Sequence, residues 1–169
     1  MKKVKIWAAL LGASTMAACA TAAEKPVTTS AAAAVAEKSH GPHLNYVQSQ
    51  NDFETTLANL QASIDSKGFK TFAVIDHAKG AASVDADLRP TTLVIFGNPK
   101  GGTPLIQSSQ TMGIVLPLKA LVYENADGSV TVATPDIRHS LKEHGVEGKD
   151  ALTAKIEGAL AAISADAAQ

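Results

Sequence analysis

The stretch Arg89-Pro90-Thr91-Thr92-Leu93-Val94-Ile95-Phe96-Gly97-Asn98-Pro99-Lys100-Gly101-Gly102 decides how the chain is read. Leu93 to Phe96 is a short apolar run of β-branched and aromatic residues, with Pro90 before it and Gly97-Asn98-Pro99 behind it. That pattern predicts a central strand over 88–96, buried on both faces and running into a sharply turned glycine loop.

Working outward towards the N-terminus, Phe69 to Ile75 predicts another strand, ended by Asp76-His77. Before it lies the best-signed helix. Asn51 is the expected N-cap with Glu54 three residues on, and Gly68 is the left-handed stop. Phe53, Leu57, Leu60 and Ile64 fall on one stripe between them, which suits a helix lying on one face of a sheet. Leu44 to Gln50 reads as the first strand.

Towards the C-terminus, Thr103 with Pro104 behind it predicts a short helix. Ile114 to Leu118 is apolar but broken by Pro117, as at a strand entrance. Lys119 to Glu124 and Ser129 to Thr134 form a hairpin closed by Asn125-Ala126-Asp127-Gly128. Thr134 and Pro135 start a helix that ends at Gly145. A last helix from Asp150 carries Leu152, Ile156, Leu160 and Ile163 on one stripe and lies over the sheet or a neighbouring subunit. The order predicts an α+β fold: a single antiparallel or mixed sheet with helices mostly on one face. The doubly wound alternative lacks a G-x-G-x-x-G after the first strand.

Four stretches follow: residues 1–18, 19–42, 43–146 and 147–169. The first has a basic start at Lys2, Lys3 and Lys5, an apolar run from Ile6 to Leu11 and small residues after it, the pattern of a secretory signal peptide. Met16-Ala17-Ala18-Cys19 resembles a lipobox, with Met16 where leucine is usual. Cys19 is then the lipidated first residue of an exported chain anchored in the bacterial envelope and facing the periplasm. Ordinary cleavage nearby would leave a soluble periplasmic protein instead. Residues 19–42 are rich in Ala, Thr and Ser and read as a flexible tether, about 27 Å end to end as a coil.

Cys19 is the sole cysteine, so no internal disulfide holds the domain. Cleaving the leader removes three lysines and no acid, taking the formal charge from −1 to −4. That argues against nucleic acid, whose phosphates call for clustered Lys and Arg.

The ordered motifs Asp76-His77-Ala78, Arg89-Pro90-Thr91-Thr92-Leu93, Phe96 to Leu105, Leu116-Pro117-Leu118-Lys119 and Asp127-Gly128 together resemble the domain of unknown function 302 family of bacteria and archaea. The resemblance covers about Leu44 to Gly145. Gly101-Gly102 has two glycines where one is usual, and the leader and tail fall outside it. It implies a compact α+β domain able to pair as a homodimer, and no activity.

The candidate ligand site gathers His77, Arg89, Gly97, Asn98, Lys100, Gly101, Gly102 and Lys119. A glycine loop beside a lysine and a helix start can turn N–H groups on a small polar or anionic molecule. The same loop also reads as a plain tight turn, with no P-loop ending. Asp76 is either a cap or the partner of His77 in an acid–base pair, the weaker reading. Arg89 and Lys119 read equally as solvated edge residues. His139 and His144 stand five apart, off the row a two-histidine metal site uses, and His40 and His43 have no third ligand nearby. No catalytic residue, metal or cofactor is assigned. The expected function is a binding module, with a ligand-free homo-oligomeric domain as the alternative.

Overall fold

The computed structural model describes residues 41–169; the leader, Cys19, His40 and nearly all of the tether lie outside them. Five strands form one antiparallel sheet in the order β1-β5-β4-β3-β2. They are β1 Leu44–Gln48, β2 Lys70–Asp76, β3 Thr91–Gly97, β4 Leu118–Glu124 and β5 Val130–Pro135. The helices are α1 Phe53–Ser66, α2 His77–Ala82, α3 Pro99–Ser108, α4 Met112–Val115, α5 Ile137–Glu143 and α6 Asp150–Ala167.

Alternation along the strands sorts their side chains onto two faces. Val94 and Phe96 of β3, Leu118, Ala120 and Val122 of β4, and Val130 and Val132 of β5 are buried beneath α1 and α6. Leu60 and Ile64 descend from α1 to meet them, and Ile156, Leu160 and Ile163 descend from α6. Leu105 of α3 and Met112 of α4 close the same core. The helical layer thus lies on one side, as the sequence predicts, and the opposite sheet face carries none of these core residues.

The expected central strand is corrected in two respects. β3 stands next to the edge strand β2, and β4 occupies the centre. β3 is also buried on one face only: Thr92, Val94 and Phe96 are covered, whereas Thr91, Leu93 and Ile95 are half-buried on the other. A continuous apolar run cannot distinguish a doubly covered strand from one whose second face is apolar but open.

Three helix starts also differ, each for the same reason: a side chain nearby in sequence competes better for the first free N–H groups. Asp52 rather than Asn51 caps α1, its Oδ1 accepting from Thr55 N at 2.8 Å. Asn51 instead donates to Gln169 O at 2.7 Å, and so ties the start of α1 to the end of the chain. Asn98 rather than Thr103 caps α3, which leaves Pro104 inside the helix. Asp136 rather than Thr134 caps α5, and β5 keeps Thr134 and Pro135. The hairpin turn is as expected, with Gly128 at φ +82°, where a side chain is strained.

Candidate functional site

The backbone N–H groups of Lys100, Gly101 and Gly102 are already taken within the segment. Asn98 accepts from Lys100 N through its side chain at 3.0 Å. Its backbone carbonyl takes the N–H groups of Gly101 and Gly102 at 2.9 and 3.0 Å. Asn98 Nδ2 meanwhile bonds Gly68 O at 3.3 Å. The expected anion cradle is therefore the first turn of α3, closed on its own cap. Gly97 is extended and paired with Lys70, not left-handed. A Cβ added at Gly97 would touch Phe72 Cε2 and Pro117 Cβ, each at 3.4 Å, the near limit of ordinary contact.

The other candidates are divided between the two ends of the sheet. Asp76, beside His77, pairs with Thr92, whereas Gly97 pairs with Lys70 at the far end of the same ladder. Five residues of extended strand separate those ends by about 17 Å. Asp76 is a cap, its Oδ1 accepting from Lys79 N at 2.8 Å, and His77 is exposed. Arg89 Nε donates to Glu124 O at 2.9 Å. Lys119 Nζ donates to Val115 O at 2.7 Å and Pro117 O at 3.0 Å, holding the end of α4, and burial pushes its ammonium below the usual lysine range. Lys100 is exposed. These eight residues are not gathered into one site.

His43, His139 and His144 are engaged elsewhere. His139 stacks on His43, with ring centroids 3.3 Å apart, and pairs with Glu143 at 3.2 Å. His144 Nδ1 lies 2.7 Å from Thr111 Oγ1. Among the described residues no three His, Cys, Asp or Glu side chains are grouped as metal ligands would be.

A different place gathers polar groups. On the sheet face without the helical layer, Gln48, Thr131, Tyr123 and Thr91 pair in one row across β1, β5, β4 and β3. The next row holds Tyr46, Ala133, Leu121, Leu93 and Ile75. On β5 the small side chains Thr131 and Ala133 lie low between the larger ones on β1 and β4. The result is a concavity of about 490 Å³ lined by Tyr46, Gln48, Tyr123, Thr131 and the hairpin residues Asn125 to Asp127 and Ser129.

Its hairpin wall is held rigid by its own hydrogen bonds. Asn125 Nδ2 donates to Ser129 Oγ and Thr131 Oγ1, both at 2.9 Å. Asp127 Oδ1 accepts from Ser129 Oγ at 2.6 Å and Ser129 N at 2.9 Å. These bonds, that from the Ser129 side chain first, hold the Asp127 carboxyl below its usual range. Arg89 is tied to this end of the sheet through Glu124, the residue before Asn125. The sequence reading found the hairpin but missed Tyr46, Gln48, Tyr123 and Thr131 as a group. The available signal was their every-second-residue spacing within strands; the strand order that brings them together is not written locally.

Comparison with known proteins places the chain as follows. A family profile described as "Domain of unknown function DUF302" matches residues 45–163, running past Gly145, where the sequence motifs stop, into α6. A crystal structure of an uncharacterized conserved DUF302 protein from Bacillus stearothermophilus superposes with a TM-score of 0.68 at 19% identity, covering 76% of this chain and 99% of that one. Among curated proteins, "Fluoride-specific ion channel FluC 1" of Brucella suis is 36% identical over 117 residues, 66% of this chain and 45% of its own length. The protein of the same name in Brucella abortus matches at 36%, over 42% of its length. The chain thus spans less than half of the curated relatives it matches. No helix among the described residues is long and apolar enough to cross a membrane.

Proposed function

The chain belongs to the DUF302 family, and on that premise we propose that it is a binding module whose ligand, a small polar molecule, sits in the concavity bounded by Tyr46, Tyr123 and the hairpin. One observation carries the reading: seven of the eight lining residues bear a polar side chain, and they converge on an open sheet face from three strands and a turn. The volume lies within the ~300–1,000 Å³ usual for small-molecule sites. The proposal moves the ligand away from the glycine segment, whose N–H groups at Lys100, Gly101 and Gly102 are spent. In the fluoride-channel relatives more than half of the length lies outside the match, and no helix among the described residues here is long and apolar enough to cross a membrane, so the channel name is not carried to the matched segment. A thermal-shift screen against small polar molecules, anions, nucleotides and metals tests the proposal. A hit should be lost in Tyr46→Ala and Tyr123→Ala and kept in Lys100→Ala, whose own stability changes by less than about 0.5 kcal/mol. A flat response across the panel would sink the reading.

A second reading, homodimer formation, has its own support on the same face. Ile75, Leu93 and Leu121 lie side by side in one row, next to Ile95, and Ile75 is 41% exposed. Lys119, which pairs with Ile95, is turned to backbone carbonyls. Light scattering on residues 40–169 at micromolar concentration should give a dimer mass that Leu93→Asp converts to monomer. A clean monomer for the unaltered chain ends the idea.

The leader and Cys19 complete the proposal: the module is exported and held at the envelope by acylated Cys19. Cys19→Ala should leave the membrane pellet or remain uncleaved, and identical osmotic release of both forms would leave a soluble periplasmic protein.

A further inference from the structure

Resting on the reading of the concavity as a binding site, we infer that its ligand is neutral and hydroxyl-rich, a sugar or polyol rather than the anion the sequence suggests. The charges decide the first step. No lysine or arginine lines the concavity, and Asp127 does, so an anion would meet a carboxylate with no counter-charge in the lining. A simple cation has little to hold it either. Asp127 stands exposed on the turn with Oδ1 already shared by two Ser129 donors, and a lone exposed charge contributes little.

Hydrogen-bond accounting gives the second step. Both Asn125 amide hydrogens are spent inside the wall, which leaves Asn125 Oδ1 and Asp127 Oδ2 as acceptors that these bonds do not use. Thr131 Oγ1 accepts from Asn125, so its own hydroxyl hydrogen remains to be donated. Gln48, exposed at the end of β1, offers an amide with both donor and acceptor. A wall that mixes acceptors and donors within a few ångströms matches a ligand whose every polar group does both, which is the property of a hydroxyl. Tyr46 and Tyr123 add flat apolar surface with a polar tip, suited to the C–H faces between such hydroxyls.

The test follows the backbone amide signals of residues 41–169 by nuclear magnetic resonance while trehalose, sodium sulfate or choline chloride is added to the ¹⁵N-labelled protein. Trehalose should shift the signals of Tyr46, Gln48, Tyr123, Asn125 and Thr131 at millimolar concentration. Gln48→Ala should weaken that binding at least fivefold, and Lys100→Ala, outside the lining, should change it less than twofold. If sulfate or choline moves these signals and trehalose does not, the ligand class is overturned while the site stands. Trehalose shifts confined to other residues would overturn both, and so would silence from all three probes.

Discussion

Ending the chain at Gly148 should abolish cooperative unfolding. Ile156, Leu160 and Ile163 of α6 are at most 8% exposed and share the core with Leu60 and Ile64 of α1. Each such side chain contributes about 1.5–3 kcal/mol when buried. Losing three, together with the cover they give α1, approaches the whole ~5–15 kcal/mol by which a domain is stable. The polar contacts between the helices would not hold it. Asp166 accepts from Lys67 at 2.6 Å and from Ser63 at 2.7 Å, but this pairing is largely solvent-facing and worth little by itself. Circular dichroism with urea should show a shallow, non-sigmoidal loss of signal for the truncated chain. A sharp transition near that of the full domain would mean that α6 is an appendage.

Phe96→Ala should be the most damaging single substitution in the sheet, costing about 3–5 kcal/mol. The ring is fully buried and meets Phe69 edge-on, with centroids 5.7 Å apart and planes at 86°. Its neighbours across the ladder, Thr71 and Leu118, are fixed in paired strands and cannot collapse into the space. Leu93→Ala, three residues earlier on the open face, removes a half-buried side chain and should cost less than half as much. Equal urea midpoints for the two variants would contradict the assignment of faces.

The elements that sequence revealed are those whose signals are local. The α1 stripe of Leu57, Leu60 and Ile64 and the Asn125–Gly128 turn each need only a few consecutive residues, and both stand as read. Caps were shifted because Asn51 and Asp52, or Thr134 and Asp136, are chemically near-equivalent over one or two positions. Tertiary partners decide between them, as Gln169 does for Asn51. The glycine segment failed differently. Gly97, Gly101 and Gly102 signal backbone freedom, but two of them lie in a helix and the third is extended and paired in β3. The concavity was out of reach because Gln48 and Tyr123 become near neighbours only through Thr131, each coming from a different strand.

The sheet order also sets a timetable. β1 finds no partner until β5 exists, and α1, which also lies against β2, β3 and β4, lacks its neighbour α6 until the chain is nearly complete. About a hundred residues separate each early element from its late counterpart, which at ~5–20 residues per second is roughly 5–20 s of synthesis. Through that interval the first strand remains unpaired and one flank of α1 stays uncovered, open to whatever handles nascent chains. A chain in this condition can still be threaded through a narrow pore. Once α6 has emerged, Gln50 N closes on Ala168 O and Asn51 on Gln169, and that opportunity ends.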